Sequence, residues 1–373
     1  MSVNQNRLDW VDASKGLSII LVVMMHSAYG VGEDLNDIGI LHYIIGWALP
    51  FRMPEFFLIS GLFLGQVISR PLRLFADRRV IHYLYFYALW VVLQVVAKVG
   101  LGTGDVGSVF GQIAWAAVEP YGVLWFIYML AVYSLVIKLL HMIKVPHWAV
   151  LIAGGGLMMA QAGGVIVTGF GVIDHFCMYF VYFYAGYALA PLVFRIVASA
   201  QQNWLYAAFI LAAFAIIQWF LVFEGSGPAG GAVMHPRGIE MGYASFPPLH
   251  LLLGIVGSLA VCVAGGLLVK LPWMGWLRWL GEHSIVIYLS FSIPMAASRT
   301  LILKTGVLTD TSTVSVLVML SALLSPLVLY WLIEKTGWGK FLFERPAWAH
   351  VPGTPGSRGY IAPERKPQAV PAE

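Results

Sequence analysis

Charge is what this sequence has least of. Asp, Glu, Lys and Arg together make up 11% of its 373 residues, against about a quarter in ordinary soluble domains. With 60% hydrophobic residues and a mean hydropathy of +0.80, a water-soluble fold has no means of hiding its apolar surface, so lipid must cover part of it. Cysteine is nearly absent. Cys177 and Cys262 both fall in long apolar runs, where a thiol behaves as a small hydrophobe, and no disulfide or zinc framework follows. There is no Walker loop, no dinucleotide glycine fingerprint and no metal-ligand cluster, which argues against nucleotide hydrolysis and metal chemistry. The formal net charge of +4 says less than where the cations lie, and nucleic acid is not indicated as a partner.

What the chain has in quantity is long apolar runs. A hydrocarbon core needs about 20 apolar residues per helix, and scanning predicts an all-α polytopic membrane protein of about ten transmembrane helices. These fall near 15–32, 41–68, 80–100, 121–140, 147–170, 175–197, 204–223, 249–270, 283–303 and 311–334. The first run follows Arg7 and Lys15 like a signal peptide, but no clear cleavage site appears and many spans follow. Alternate loops carry the cations: Arg70, Arg73, Arg78 and Arg79, then Lys138 and Lys144, then Arg195, then Lys270 and Arg278. The positive-inside rule makes these loops cytoplasmic, and an even number of spans then puts both termini there. The predicted organisation is a cytoplasmic segment at 1–14, a membrane domain at 15–335 and a cytoplasmic, largely disordered tail at 336–373, rich in Pro and Gly beyond Arg345. The Gly- and Pro-rich outer loop, about 224–248, is either a re-entrant cover or a plain connector.

Ionisable residues inside spans are costly and mark candidate sites. In span one, Lys15 and His26 are eleven residues apart, so they share a helix face and lie roughly 16 Å apart along the axis. That suits a donor entering from the cytoplasm, with a cation near its phosphates and an imidazole deeper, where a general base could activate a hydroxyl. The plainer reading has His26 bonding a neighbouring helix and Lys15 snorkelling to headgroups. In span two, Arg52 and Glu55 are three apart and can pair on one face at the Pro54 kink. Alternatively, Glu55 orients the imidazole. The Arg70, Arg73, Arg78, Arg79 and His82 cluster either binds donor phosphates or only sets topology. His175, His250 and His283 lie near span ends, and the aromatic runs fit interfacial belts.

Taken together these residues resemble the acyltransferase-3 family of bacterial membrane acyltransferases. Its basic residue, ten positions, then His appears as Lys15 and His26, preceded by Asp12. Its Met-Pro-x-Phe-Phe-x-x-Ser-Gly pattern appears as Met53-Pro54-Glu55-Phe56-Phe57-Leu58-Ile59-Ser60-Gly61. Leu124-Trp125-Phe126-Ile127 is similar to a further segment, and Gly281-Glu282-His283-Ser284 through Ile287-Tyr288-Leu289 to a late one. The resemblance runs from about residue 8 to about 335. It implies an acyl-CoA donor on the cytoplasmic side and no permanently bound cofactor. Carried over, the catalytic role falls on His26, removing a proton or transiently carrying the acyl group, and the donor contacts on Lys15 and Arg79, with His82 at the second position of the pair. Position in the chain adds Glu55 as a catalytic candidate, Arg78 as a donor contact, and Asp12, Arg52, Ser60, Trp125 and Tyr288 as supporting residues. Two positions depart from the pattern. His82 stands where the second basic residue of span three is usually Arg, and Phe291 stands where the late motif usually has His.

The expected function is O-acyl transfer, acetyl or succinyl, from acyl-CoA to a carbohydrate hydroxyl at or across a bacterial inner membrane. Because some members carry an added periplasmic domain absent here, a separate periplasmic partner is one expectation and direct transfer the other. The rival expectation is a secondary transporter or channel in which His26, Arg52 and Glu55 relay an ion or proton.

Overall fold

In the computed structural model the described residues are 8–100, 106–225 and 231–360. The chain runs as α1 (Asp9–Leu35), α2 (Ile40–Gln66), α3 (Leu72–Val99), α4 (Val106–Trp115), α5 (Gly122–Met142) and α6 (His147–Ala162). It continues as α7 (Gly171–Ala188), α8 (Ala190–Gln202) and α9 (Trp204–Phe223), the hairpin β1 (Val233–His235) and β2 (Gly238–Glu240), then α10 (Pro247–Leu268). Last come α11 (Gly275–Glu282), α12 (Ser284–Ser290), α13 (Ser292–Thr305) and α14 (Thr311–Thr336).

Among the described residues, seven helices are long and apolar enough to cross a membrane, or up to nine if each bent pair is one crossing. The chain is a multi-pass integral membrane protein. Of the ten expected spans, three are not continuous helices of that length. The run at 147–170 yields α6, a helix of 16 residues, which stops where Gly164 takes φ +71°. The runs at 175–197 and 283–303 are each two helices, meeting at 74° and 57° respectively. Apolar composition reports burial in lipid and says nothing of direction, so a bend inside an apolar run leaves no mark in hydropathy.

Close helix contact depends on missing Cβ atoms. A methyl on Gly281 would overlap the Asp12 carbonyl oxygen, and one on Gly16 the Leu277 carbonyl, so α11 lies backbone to backbone against the start of α1. Such small-residue contacts drive helix association where lipid is as apolar as the side chains.

The charges sort to the two ends of the bundle. At the basic end Arg278 pairs with Asp9 at 3.0 Å, and Lys138 donates to the Ile68 and Arg70 carbonyls at 2.6 and 2.8 Å. At the acidic end Arg299 pairs with Asp34 and Arg237 with Glu33, both at 3.0 Å. There the Thr311 hydroxyl beside Asp37 holds its carboxyl below the usual carboxylate range. The described part of the outer loop holds the β1–β2 hairpin, with the Pro236 carbonyl 3.1 Å from His42 Nε2, and one short 3-10 turn at Tyr243–Ser245, so no re-entrant helix longer than a turn forms there among the described residues.

Two segment expectations also change. Helix α1 begins at Asp9, inside the segment read as 1–14. The tail read as largely disordered is docked over 340–360, with 361–373 outside the described residues. Arg345 donates to the Asp77 carboxylate at 2.7 Å and to its carbonyl at 2.8 Å. The Val351 N–H donates to the same carboxylate at 2.8 Å, and Arg73 donates to the Pro352 carbonyl. A Pro- and Gly-rich stretch cannot build a core of its own, but here polar bonds to α3 supply what apolar burial does not.

Candidate active site

A cavity of about 310 Å³ opens at the basic end between α1, α2, α3, α5, α11 and α12. Four of the residues singled out in the sequence line it: Lys15, Ser60, Arg79 and Tyr288. Lys15 is placed by the Gly16–Leu277 and Gly281–Asp12 contacts. Its Nζ lies 3.5 Å from the carboxylate of Asp12, which is 2% exposed. Arg79 donates to the Tyr83 hydroxyl at 3.3 Å, and Tyr288 donates to the Val123 carbonyl at 2.5 Å. Ser60 is turned back on its own helix, donating to the Phe56 carbonyl at 2.8 Å. Two cations therefore stand at a cavity whose wall also carries Glu282 and the hydroxyls of Ser18, Ser60 and Ser284 among aromatic and aliphatic groups, an arrangement fit for a ligand with an anionic head and a slender, less polar arm.

The basic cluster of α3 is divided by a wide turn. Over Ala76–Ile81 the backbone bonds step five residues instead of four, a local widening that often accompanies functional sites. It buries Asp77, brings Arg79 to the cavity and leaves Arg78 exposed. His82 is not in the cavity either. It packs against Tyr83 and Phe86 and feels the charges of Arg345, Arg79, His350 and Asp77. The expected donor set of Lys15, Arg78, Arg79 and His82 thus contracts to Lys15 and Arg79.

Deeper along α1, the expected catalytic pair is separated. Ser18 lines the cavity, and its Oγ lies 2.5 Å from Glu55 Oε1 and 2.7 Å from the Ser14 carbonyl. Glu55 is fully buried and among the described residues forms no ion pair with Arg52. Eight residues further on, about 12 Å up the axis, His26 packs its ring on Phe291 with centroids 5.4 Å apart. Arg52 is the charged neighbour of that imidazole. The guanidinium lies near the Tyr29 hydroxyl and Tyr179. The expected Arg52–Glu55 pair and the expected Glu55–imidazole contact are both absent among the described residues. Three residues turn a helix by about 300°, which permits pairing, but here each side chain meets a different partner on α1.

Trp125 stands outside the cavity lining. It stacks on His175, with centroids 4.0 Å apart and planes 12° apart, and contacts Phe57 and Tyr179. It is a packing residue behind the cavity, with its ring edge-on to Phe126, which lines it. Phe291, the departure from the late motif, is fully buried against His26. Two cavity residues escaped the sequence reading. Ser18 sits three positions after Lys15 on the same face, a signal available from spacing alone. Glu282 lines the cavity from the end of α11; it stands in the late motif, where the sequence reading gives it no role.

A family model described as an acyltransferase domain matches residues 8–331. No curated protein and no solved structure matches the chain.

Proposed function

The chain belongs to the acyltransferase-3 family and is an acyltransferase, and from that premise we propose that it moves an acetyl or succinyl group from coenzyme A to a carbohydrate hydroxyl across a bacterial inner membrane. The observation that carries the reading is the alignment along α1. Lys15 stands with Arg79 at the cavity, Ser18 lies one turn in, and His26 lies two further turns beyond on the same face. The donor enters at the basic end, which is cytoplasmic in this reading. Its phosphates rest against Lys15 and Arg79, since guanidinium and ammonium groups pair with phosphate oxygens, and its acyl-bearing arm runs up the face of α1.

The acceptor comes from the acidic end. His26 takes the proton of its hydroxyl as the oxygen attacks the thioester carbonyl. The C–S bond then breaks, the ester forms, and the imidazolium returns its proton to the departing thiolate, leaving coenzyme A as the thiol. A positioned base of this kind contributes about 10²–10⁴ in rate. His26→Ala in protein reconstituted in lipid nanodiscs is therefore expected to lose about that much acyl transfer. Full activity in that variant would sink the mechanism.

A further inference from the structure

We infer that Arg52 holds the negatively charged oxygen that develops on the acyl carbonyl beside His26. The inference rests on the reading of His26 given above. Arg52 is 7% exposed, and its Nε and Nη1 are buried with no hydrogen-bond partner among the described residues. No carboxylate there forms an ion pair with it. A buried charge left without a partner is costly and is kept only where something uses it.

Glu55, the acid nearest in sequence, does not supply the missing charge. Ser18 has one hydroxyl proton and two oxygens within bonding distance, the Ser14 carbonyl at 2.7 Å and Glu55 Oε1 at 2.5 Å. A carbonyl can only accept. The one hydroxyl proton serves one of the two, and Glu55 Oε1 lies against Ser18 and not against the guanidinium. Its Oε2 is likewise buried without a partner, which suits the uncharged carboxyl better than a carboxylate.

Helix geometry aims Arg52 at the imidazole. The Ser18–Glu55 contact sets the register of α1 against α2, which run in opposite directions. Arg52 is three residues toward the acidic end from Glu55, about 4.5 Å along the axis. Helical side chains lean toward their own N-terminus, and for α2 that is again the acidic end. The guanidinium accordingly lies near Tyr29, one turn beyond His26, with His26 among its neighbours. Two unpartnered N–H groups of a rigid planar fork beside the base are what a tetrahedral oxyanion requires.

The test uses nanodisc-embedded wild type, Arg52→Gln, Arg52→Lys and His26→Ala, with acetyl-CoA and succinyl-CoA as probes and release of the coenzyme A thiol as the readout. For Arg52→Gln, kcat is expected to fall about 10²–10³-fold with both donors, while KM stays near the wild-type value. Arg52→Lys, which keeps the charge without the fork, should fall between the two. If Arg52→Gln does not give monodisperse protein, Arg52→Lys decides, and a wild-type kcat there overturns the inference. Three other results also overturn it: an unchanged kcat in Arg52→Gln, a rise in KM at constant kcat, or a loss confined to succinyl-CoA, which would make Arg52 a contact for the acyl carboxylate. Wild-type turnover in His26→Ala would instead defeat the reading of His26, whatever Arg52 does.

Discussion

Single side chains here are defined by which neighbour they meet, and Glu55 is the clearest case. Its sequence neighbours Arg52 and Pro54 suggest an ion pair at a kink, whereas its structural neighbour is Ser18, 2.5 Å away at the cavity wall. If Glu55 is a neutral acid donating to Ser18, an amide can take its place. Glu55→Gln is expected to keep the wild-type unfolding temperature in detergent and to retain transfer within about threefold, since both groups are uncharged donors of similar shape. A fall of the melting point by many degrees, or loss of activity on the scale of His26→Ala, would show that the carboxylate itself is needed. Polarity and depth of these residues were legible in the sequence because charge inside an apolar run stands out. Their partners were not, because three-residue spacing allows pairing without requiring it, and the choice is made by residues of another helix.

Elements in this fold are positioned by what they lack. The start of α1 lies on α11 because Gly16 and Gly281 leave the two backbones nothing to clash with. Gly281→Ala would push a methyl into the Asp12 carbonyl, which is backbone and cannot swing away. Overpacking of this kind costs about 1–3 kcal/mol, so a lower unfolding temperature is expected. Because the displaced turn carries Lys15, a raised KM for acyl-CoA should accompany it. An unaltered KM would separate Lys15 from donor binding. The motif containing Gly281 was visible in the chain, yet its packing partner was not, since nothing in Asp12-Ala-Ser-Lys15-Gly16 names α11. The wide turn at Ala76–Ile81 is harder still to foresee, because it adds no residue type that an ordinary helix would lack.

At the scale of the whole molecule, the last described stretch of chain closes over the basic end. Asp77 is fully buried and Arg345 2% exposed where they pair at 2.7 Å, and Asp77 belongs to the same turn that delivers Arg79 to the cavity. Removing one partner of a buried pair leaves the other uncompensated, at about 3–5 kcal/mol. Arg345→Ala is expected to show that loss as a lower unfolding temperature, and an unchanged transition would mean that the tail is dispensable to the fold. Composition made the membrane spans readable, since lipid imposes length and apolarity on every one of them. It misread the tail, whose order comes from a few polar bonds instead of burial. The contact between His26 and Phe291 reaches further than packing. Phe291 stands at the 57° elbow between α12 and α13, and the far arm of that elbow is tied back to α1 by Arg299 and Asp34. Imidazole, elbow and tether form a closed truss, and in the proposed mechanism that frame would set the aim of His26.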